Sequence, residues 1–103
     1  GLNGQNFAFV GYLPQDASAR AQRIRELEAL ATRQQQAQLF IETPYRNAAL
    51  LGALLRELKP GTRLSVSHGL TLADGGTHSA TVQTWRAGAP HVPGGPAVFA
   101  IGP

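Results

Sequence analysis

The sequence contains no cysteine. Disulfides and thiolate metal sites are therefore excluded, and a reducing cytoplasm is compatible with that composition. It has no uninterrupted apolar stretch of about 18 residues or more, so it holds no membrane-spanning helix. A charged, then apolar, then small-residue opening is missing, so no signal-peptide pattern is visible. Lysine is scarce: eight of the nine basic residues are arginine. There is no G-x-S-x-G nucleophile elbow. Gly75-Gly76 and Gly94-Gly95 do not stand between a strand and a helix as a phosphate-binding loop requires. Internal repeats and low-complexity tracts are also absent.

The chain has 103 residues, 43% of them hydrophobic, which suits one domain with one modest core. The net charge is +3. Arginine makes bidentate contacts with phosphate and carboxylate, so an anionic partner is allowed. So small a charge does not by itself point to nucleic acid.

The opening, Gly1 to Gln5, has turn composition and no methionine, and reads as a cut made inside a longer protein. Asn6 to Val10 reads as a strand, ended by Gly11-Tyr12-Leu13-Pro14. Asp16 is placed to cap a helix from Ala17 to Arg33, with Ile24, Leu27, Leu30 and Ala31 on one face. Gln34 to Gln36 form a polar exit, and Ala37 to Ile41 a second strand. Thr43 as N-cap and Pro44 at the first helical position predict a helix to Leu58, with Leu50, Leu51, Leu54, Leu55 and Leu58 as its buried stripe. Lys59-Pro60-Gly61 stops it. Arg63 to His68 alternates as a third strand. Asp74-Gly75-Gly76 is a turn and Thr77 to Ser79 a brief strand. Ala80 to Ala87 either continues that strand or forms a short helix. After a Pro/Gly loop, Ala97 to Ile101 is a last strand.

This order predicts an α/β fold with one mixed sheet flanked by helices. Strands one to three are expected to be parallel, joined by right-handed crossovers. Ligands of such sheets collect at the carboxyl ends of strands. Those ends carry Gly11-Tyr12, Glu42-Thr43-Pro44 and His68-Gly69-Leu70-Thr71. Arg46 is expected in the first helical turn, where the helix dipole disfavours a cation. Either Glu42 folds back to pair with it, fixing the turn, or Arg46 meets an external anion. His68, His78 and His91 show no zinc-ligand spacing, so no metal is expected. Phe7, Phe9, Phe40 and Phe99 are assigned to the core. Tyr12 is placed to face a cleft, and Trp85 to cover one edge of the core. The arginines of the first helix read as a solvated face.

Phe9-Val10-Gly11-Tyr12-Leu13-Pro14, Leu39-Phe40-Ile41-Glu42-Thr43-Pro44-Tyr45-Arg46, Gly69-Leu70-Thr71 and Pro96-Ala97-Val98-Phe99 carry a family resemblance. In order and spacing they resemble the C-terminal half of the tetrapyrrole methylase-like S-adenosylmethionine-dependent methyltransferases. The branch they look most like is the ribosomal RNA small subunit methyltransferase I group. The resemblance implies that residues 1–103 are the C-terminal subdomain, with a roughly five-stranded sheet. It implies an N-terminal cofactor-binding domain as partner, a homodimer, and S-adenosylmethionine bound between the two domains. It favours a short helix at Ala80 to Ala87. Ile41, Glu42, Leu70, Pro96 and Ala97 would contact the adenosine, chiefly through the backbone. Arg46 and Tyr12 would steady the turn or approach the substrate, rRNA ribose or a tetrapyrrole-like small molecule. The ribosomal group follows its third strand with R-E-L-T-K. Here the stretch is His68-Gly69-Leu70-Thr71-Leu72, which puts an rRNA ribose acceptor in question. A non-catalytic dimerisation module and a small basic RNA-binding domain are the alternative readings. The second lacks an aromatic-basic RNA platform.

Overall fold

Alternating apolar residues and turn chemistry divide the described residues into five strands and three helices. The computed structural model describes residues 7–42, 46–68, 76–88 and 97–102. The strands are β1 (Phe7–Tyr12), β2 (Ala37–Glu42), β3 (Arg63–His68), β4 (Gly76–Thr81) and β5 (Ala97–Gly102). The helices are α1 (Ala17–Gln34), α2 (Asn47–Glu57) and α3 (Val82–Ala87). The sheet order is β1-β2-β5-β3-β4. β1 and β2 are parallel, whereas β5 is antiparallel to both β2 and β3, and β4 is antiparallel to β3. Strands β1, β2 and β3 thus share one direction as expected, but β5 is inserted between β2 and β3. Hydrophobic alternation alone carries no information about which strand is inserted where.

Three connections carry a helix, and each joins strands of the same direction. The right-handed rule for such crossovers puts α1, α2 and α3 on the same side of the sheet. Burial agrees with that placement. Phe40, Leu64, Val66, Phe99 and Ile101 lie on one sheet face and join Ile24, Leu27, Leu50, Leu54 and Trp85 in a single core. Phe40 and Phe99, paired in register, stack with ring centroids 5.9 Å apart.

Several helix ends are satisfied by identifiable groups. The Asp16 carboxylate accepts a hydrogen bond from Ala19 N–H at 2.9 Å, which starts α1 where the sequence predicts. Gln35 closes α1 in the left-handed conformation at φ 52°. The guanidinium of Arg86 donates to the carbonyls of Leu55 and Leu58, capping α2 from a neighbouring element. The segment 80–87 resolves into both of its alternatives in turn. β4 runs through Thr81, whose hydroxyl accepts from Thr84 N–H and opens α3. Backbone donors Val82 and Gln83 meet Thr62 and Pro60 carbonyls, so a strand cannot continue there. Trp85 is buried and donates its indole N–H to Leu64 O at 2.9 Å.

One expectation is corrected. Phe7 and Phe9 are 51% and 62% exposed rather than in the core. Their register partners are Ala37 and Leu39, on the face opposite to Phe40, and no described helix covers that face. Asn47 is the first α-helical residue of α2, and Arg46 before it has 3-10 helical backbone and caps the helix without a side-chain capping hydrogen bond. Thr43 and Pro44, the expected N-cap and first helical position, lie outside the described residues.

Leu54 is fully buried between the helices and the sheet. Leu54→Ala should lower the unfolding free energy by about 2–5 kcal/mol, read as a shifted urea midpoint.

Candidate functional site

The register assembles one edge of the sheet from all five strands. Glu42 pairs with Ala97, Ala97 with His68, and His68 with Gly76. On the outer side of β2, Tyr12 pairs with Ile41. The carboxyl ends of β1, β2 and β3 therefore meet the amino ends of β4 and β5. Sequence reasoning nominated Tyr12, Ile41, Glu42 and Ala97 for this site, and the fold brings them together. Arg46 follows β2 by four residues and leads into α2 at the same edge. Leu70 and Pro96, the other two nominated adenosine contacts, lie outside the described residues.

The side chains at this edge divide between the two faces. Glu42 points into the helix-covered side and is 6% exposed, and Asn47 in the first turn of α2 is fully buried. Ile41 lies on the outer face and is half-buried. Tyr12 is 66% exposed. Its position results from a bulge that sequence reasoning missed. The pairing shifts between Phe9 and Gly11, and Gly11 has φ +90°. One extra residue in β1 reverses the facing of the residues beyond it. Tyr12 would otherwise have pointed toward the helices with Ala8. Instead it joins Phe7 and Phe9 on the outer face. The glycine itself was the available signal, since it sits inside an otherwise β-forming run.

Atoms at strand ends are chemically useful because the ladder no longer consumes them. Backbone N–H and C=O groups beyond the last paired residue must find another partner, whether water or a ligand. Such groups read the edges of a planar heterocycle without any particular side chain.

The opposite edge has a different character. A cavity of about 560 Å³ is lined by Arg25, Glu28, Arg33, Glu57, Lys59 and Thr62, among others. Glu28 lies off the Ile24-Leu27-Leu30-Ala31 face of α1, yet it is only 7% exposed. Its carboxylate accepts from Lys59 N–H at 2.8 Å and from the Thr62 hydroxyl at 2.5 Å. Arg25 pairs with Glu57. Arg33 lies in the last turn of α1 and Lys59 just past α2, where cations offset the negative helix ends. This cavity is therefore an internal tie between α1 and the α2–β3 turn. Among the described residues, no group of three histidine, cysteine, aspartate or glutamate side chains is placed to hold a metal ion. No described helix is long and apolar enough to cross a membrane.

No family model matches the chain, and no curated protein does either. Solved structures do match. The chain covers 41% of the methyltransferase CobJ, with 96% of its own residues aligned, 19% identity and a TM-score of 0.55. It covers 42% of the uroporphyrin-III C-methyltransferase from Thermus thermophilus complexed with S-adenyl homocysteine, at 15% identity and a TM-score of 0.57. The native form of that Thermus enzyme matches at 16% identity, also with a TM-score of 0.57. The chain thus spans about two fifths of the proteins it resembles.

Two substitutions test these placements. Gly11→Ala meets no neighbouring atom within 4 Å, so its cost is backbone strain alone. It should destabilise by about 1–2 kcal/mol in urea titration. Glu28→Ala leaves Lys59 N–H without its acceptor and should cost about 1–3 kcal/mol, with Glu28→Gln less harmful.

This chain therefore has the tetrapyrrole methylase fold, consistent with its C-terminal subdomain, and sets the nominated strand ends on one edge.

Proposed function

We propose that this chain forms one wall of the cofactor cleft of an S-adenosylmethionine-dependent methyltransferase, with a preceding lobe as the other wall. The observation that carries the reading is the shared edge of Tyr12, Ile41, Glu42, His68 and Ala97. It is supported by a fold common to methyltransferases, one of them complexed with S-adenyl homocysteine.

The residues fit that cofactor. Strand-end amides and carbonyls at Ile41, Glu42 and Ala97 suit an adenine and ribose, which need several donors and acceptors in fixed geometry. Leu70 and Pro96, close to His68 and Ala97 in sequence, lie outside the described residues and belong to the same proposed set. The buried Glu42 sets the end of β2 against the helix layer, and the exposed Tyr12 ring offers an apolar surface beside the edge. When bound, the cofactor supplies an electrophilic methyl group on a sulfonium. This chain holds and orients it, and alignment of that kind supplies much of the rate. Arg46, at the entrance to α2, steadies the turn after Glu42 or meets an anionic group of the acceptor.

For the acceptor, a tetrapyrrole-like small molecule is favoured over rRNA ribose. His68-Gly69-Leu70-Thr71-Leu72 carries none of the charged groups that the ribosomal group places after its third strand.

The test is an amide-shift titration of the chain with S-adenosylhomocysteine. Shifts should concentrate on Ile41, Glu42, His68 and Ala97, with saturation still incomplete at about 1 mM because half of the cleft is missing. Shifts centred on Arg33 and Lys59, or tight one-to-one binding by the chain alone, would contradict the proposal.

A further inference from the structure

The tie across the amino edge leaves three charged groups over. Arg25 is committed to Glu57, and Oε2 of Glu28 takes both the Lys59 N–H and the Thr62 hydroxyl. The other oxygen of that buried carboxylate, Oε1, receives no donor among the described residues, and Glu28 lines the cavity. Arg33 and Lys59 line the same cavity, and neither head group forms an ion pair or hydrogen bond among the described residues. The helix ends beside them do not call on these cations. At the end of α1 the Ala31 carbonyl takes the Gln36 N–H at 3.1 Å, and the Thr32 carbonyl takes the Gln35 side-chain amide at 2.9 Å. At the end of α2 the Arg86 guanidinium serves the carbonyls of Leu55 and Leu58.

We propose that this cavity binds a small phosphorylated polyol, such as a sugar phosphate. Arg33 and Lys59 hold the phosphate, the first through its planar fork and the second as a mobile point charge. An ionised carboxylate oxygen can only accept, so Glu28 Oε1 calls for a donor. A ligand hydroxyl supplies that donor without adding a second charge. The exposed Thr32 hydroxyl at the rim can give or take a further hydrogen bond.

Size and charge select this class of ligand. A volume of about 560 Å³ falls within the range of small-molecule sites. Three cations and two carboxylates in the lining leave one net positive charge, which suits a single phosphate group. A continuous phosphate backbone would bring its further charges against Glu28 and Glu57, so RNA is disfavoured. The inference does not rest on the carboxyl-edge reading, and its probes carry the phosphate that S-adenosylhomocysteine lacks.

The test is an amide-shift titration of the intact chain with ribose 5-phosphate, inorganic phosphate and ribose. Ribose 5-phosphate should shift Arg33, Lys59 and Thr62 saturably, with a midpoint near about 1 mM. Inorganic phosphate should act on the same amides more weakly, and ribose should not bind. Arg33→Gln and Lys59→Gln should each weaken ribose 5-phosphate at least about tenfold, since each removes a charge-assisted hydrogen bond. Both residues are exposed and Lys59 joins the tie only through its backbone, so circular dichroism should show both variants folded. Glu28→Gln should narrow the preference for ribose 5-phosphate over inorganic phosphate, because an amide group is a weaker partner for the hydroxyl than a carboxylate oxygen. Arg20→Gln, a change near the far end of α1, should leave binding unaltered. An equal loss from Arg20→Gln would reduce the effect to net charge and overturn the proposal. So would the absence of saturable shifts at Arg33 and Lys59 up to about 10 mM, or tighter binding of a short RNA oligomer than of ribose 5-phosphate.

Discussion

The sense of the helical crossovers determines most of what this molecule presents to its surroundings. Each of the three helix-bearing connections joins strands of the same direction, and each turns back onto the same side of the sheet. In a doubly wound sheet the winding reverses and helices cover both faces. Here it does not reverse, so one face receives the whole core and the other receives no described helix. The covered face carries Phe40, Phe99, Leu64 and Ile101, and the open one carries Phe9, Leu39 and Tyr12.

The same constraint separates the two edges of the sheet. Helices α1 and α2 begin at the carboxyl edge, beside Tyr12, Glu42 and Ala97, whereas α3 begins at the other. The turns that leave α1 and α2 gather at the other, where Glu28 binds Lys59 and Thr62. Arg86 adds a second tie by capping α2 from α3. The amino edge is thus cross-braced by side chains, whereas the carboxyl edge is formed by the ends of five strands. A ligand held mainly by backbone leaves little trace in residue identity, so weak side-chain signatures are expected at such a site.

Local pattern made much of this legible. Asp16 before an amphipathic run, the leucine stripe of α2 and the alternation of Arg63 to His68 all correspond to observed elements. The features that escaped depended on contacts distant in sequence. Phe7 and Phe9 look like core residues until the crossover sense decides which face is covered. Glu28 looks solvated until the α2–β3 turn arrives against it, 31 residues later. The insertion of β5 between β2 and β3 has no counterpart in hydrophobic periodicity. Gly11 did mark its bulge, but its effect on Tyr12 emerges only when the register with β2 is known. That Tyr12, Ile41, Glu42 and Ala97 share one edge was legible, because strand ends are given directly by strand boundaries.

The most direct measurement is photo-cross-linking with an azidoadenine analogue of S-adenosylhomocysteine, combined with peptide mapping. The account predicts labelling on the peptides that contain Ile41-Glu42 and Ala97, from the two strands that meet at the carboxyl edge. Labelling confined to the peptides that contain Arg33 or Lys59, at the other edge, would contradict it.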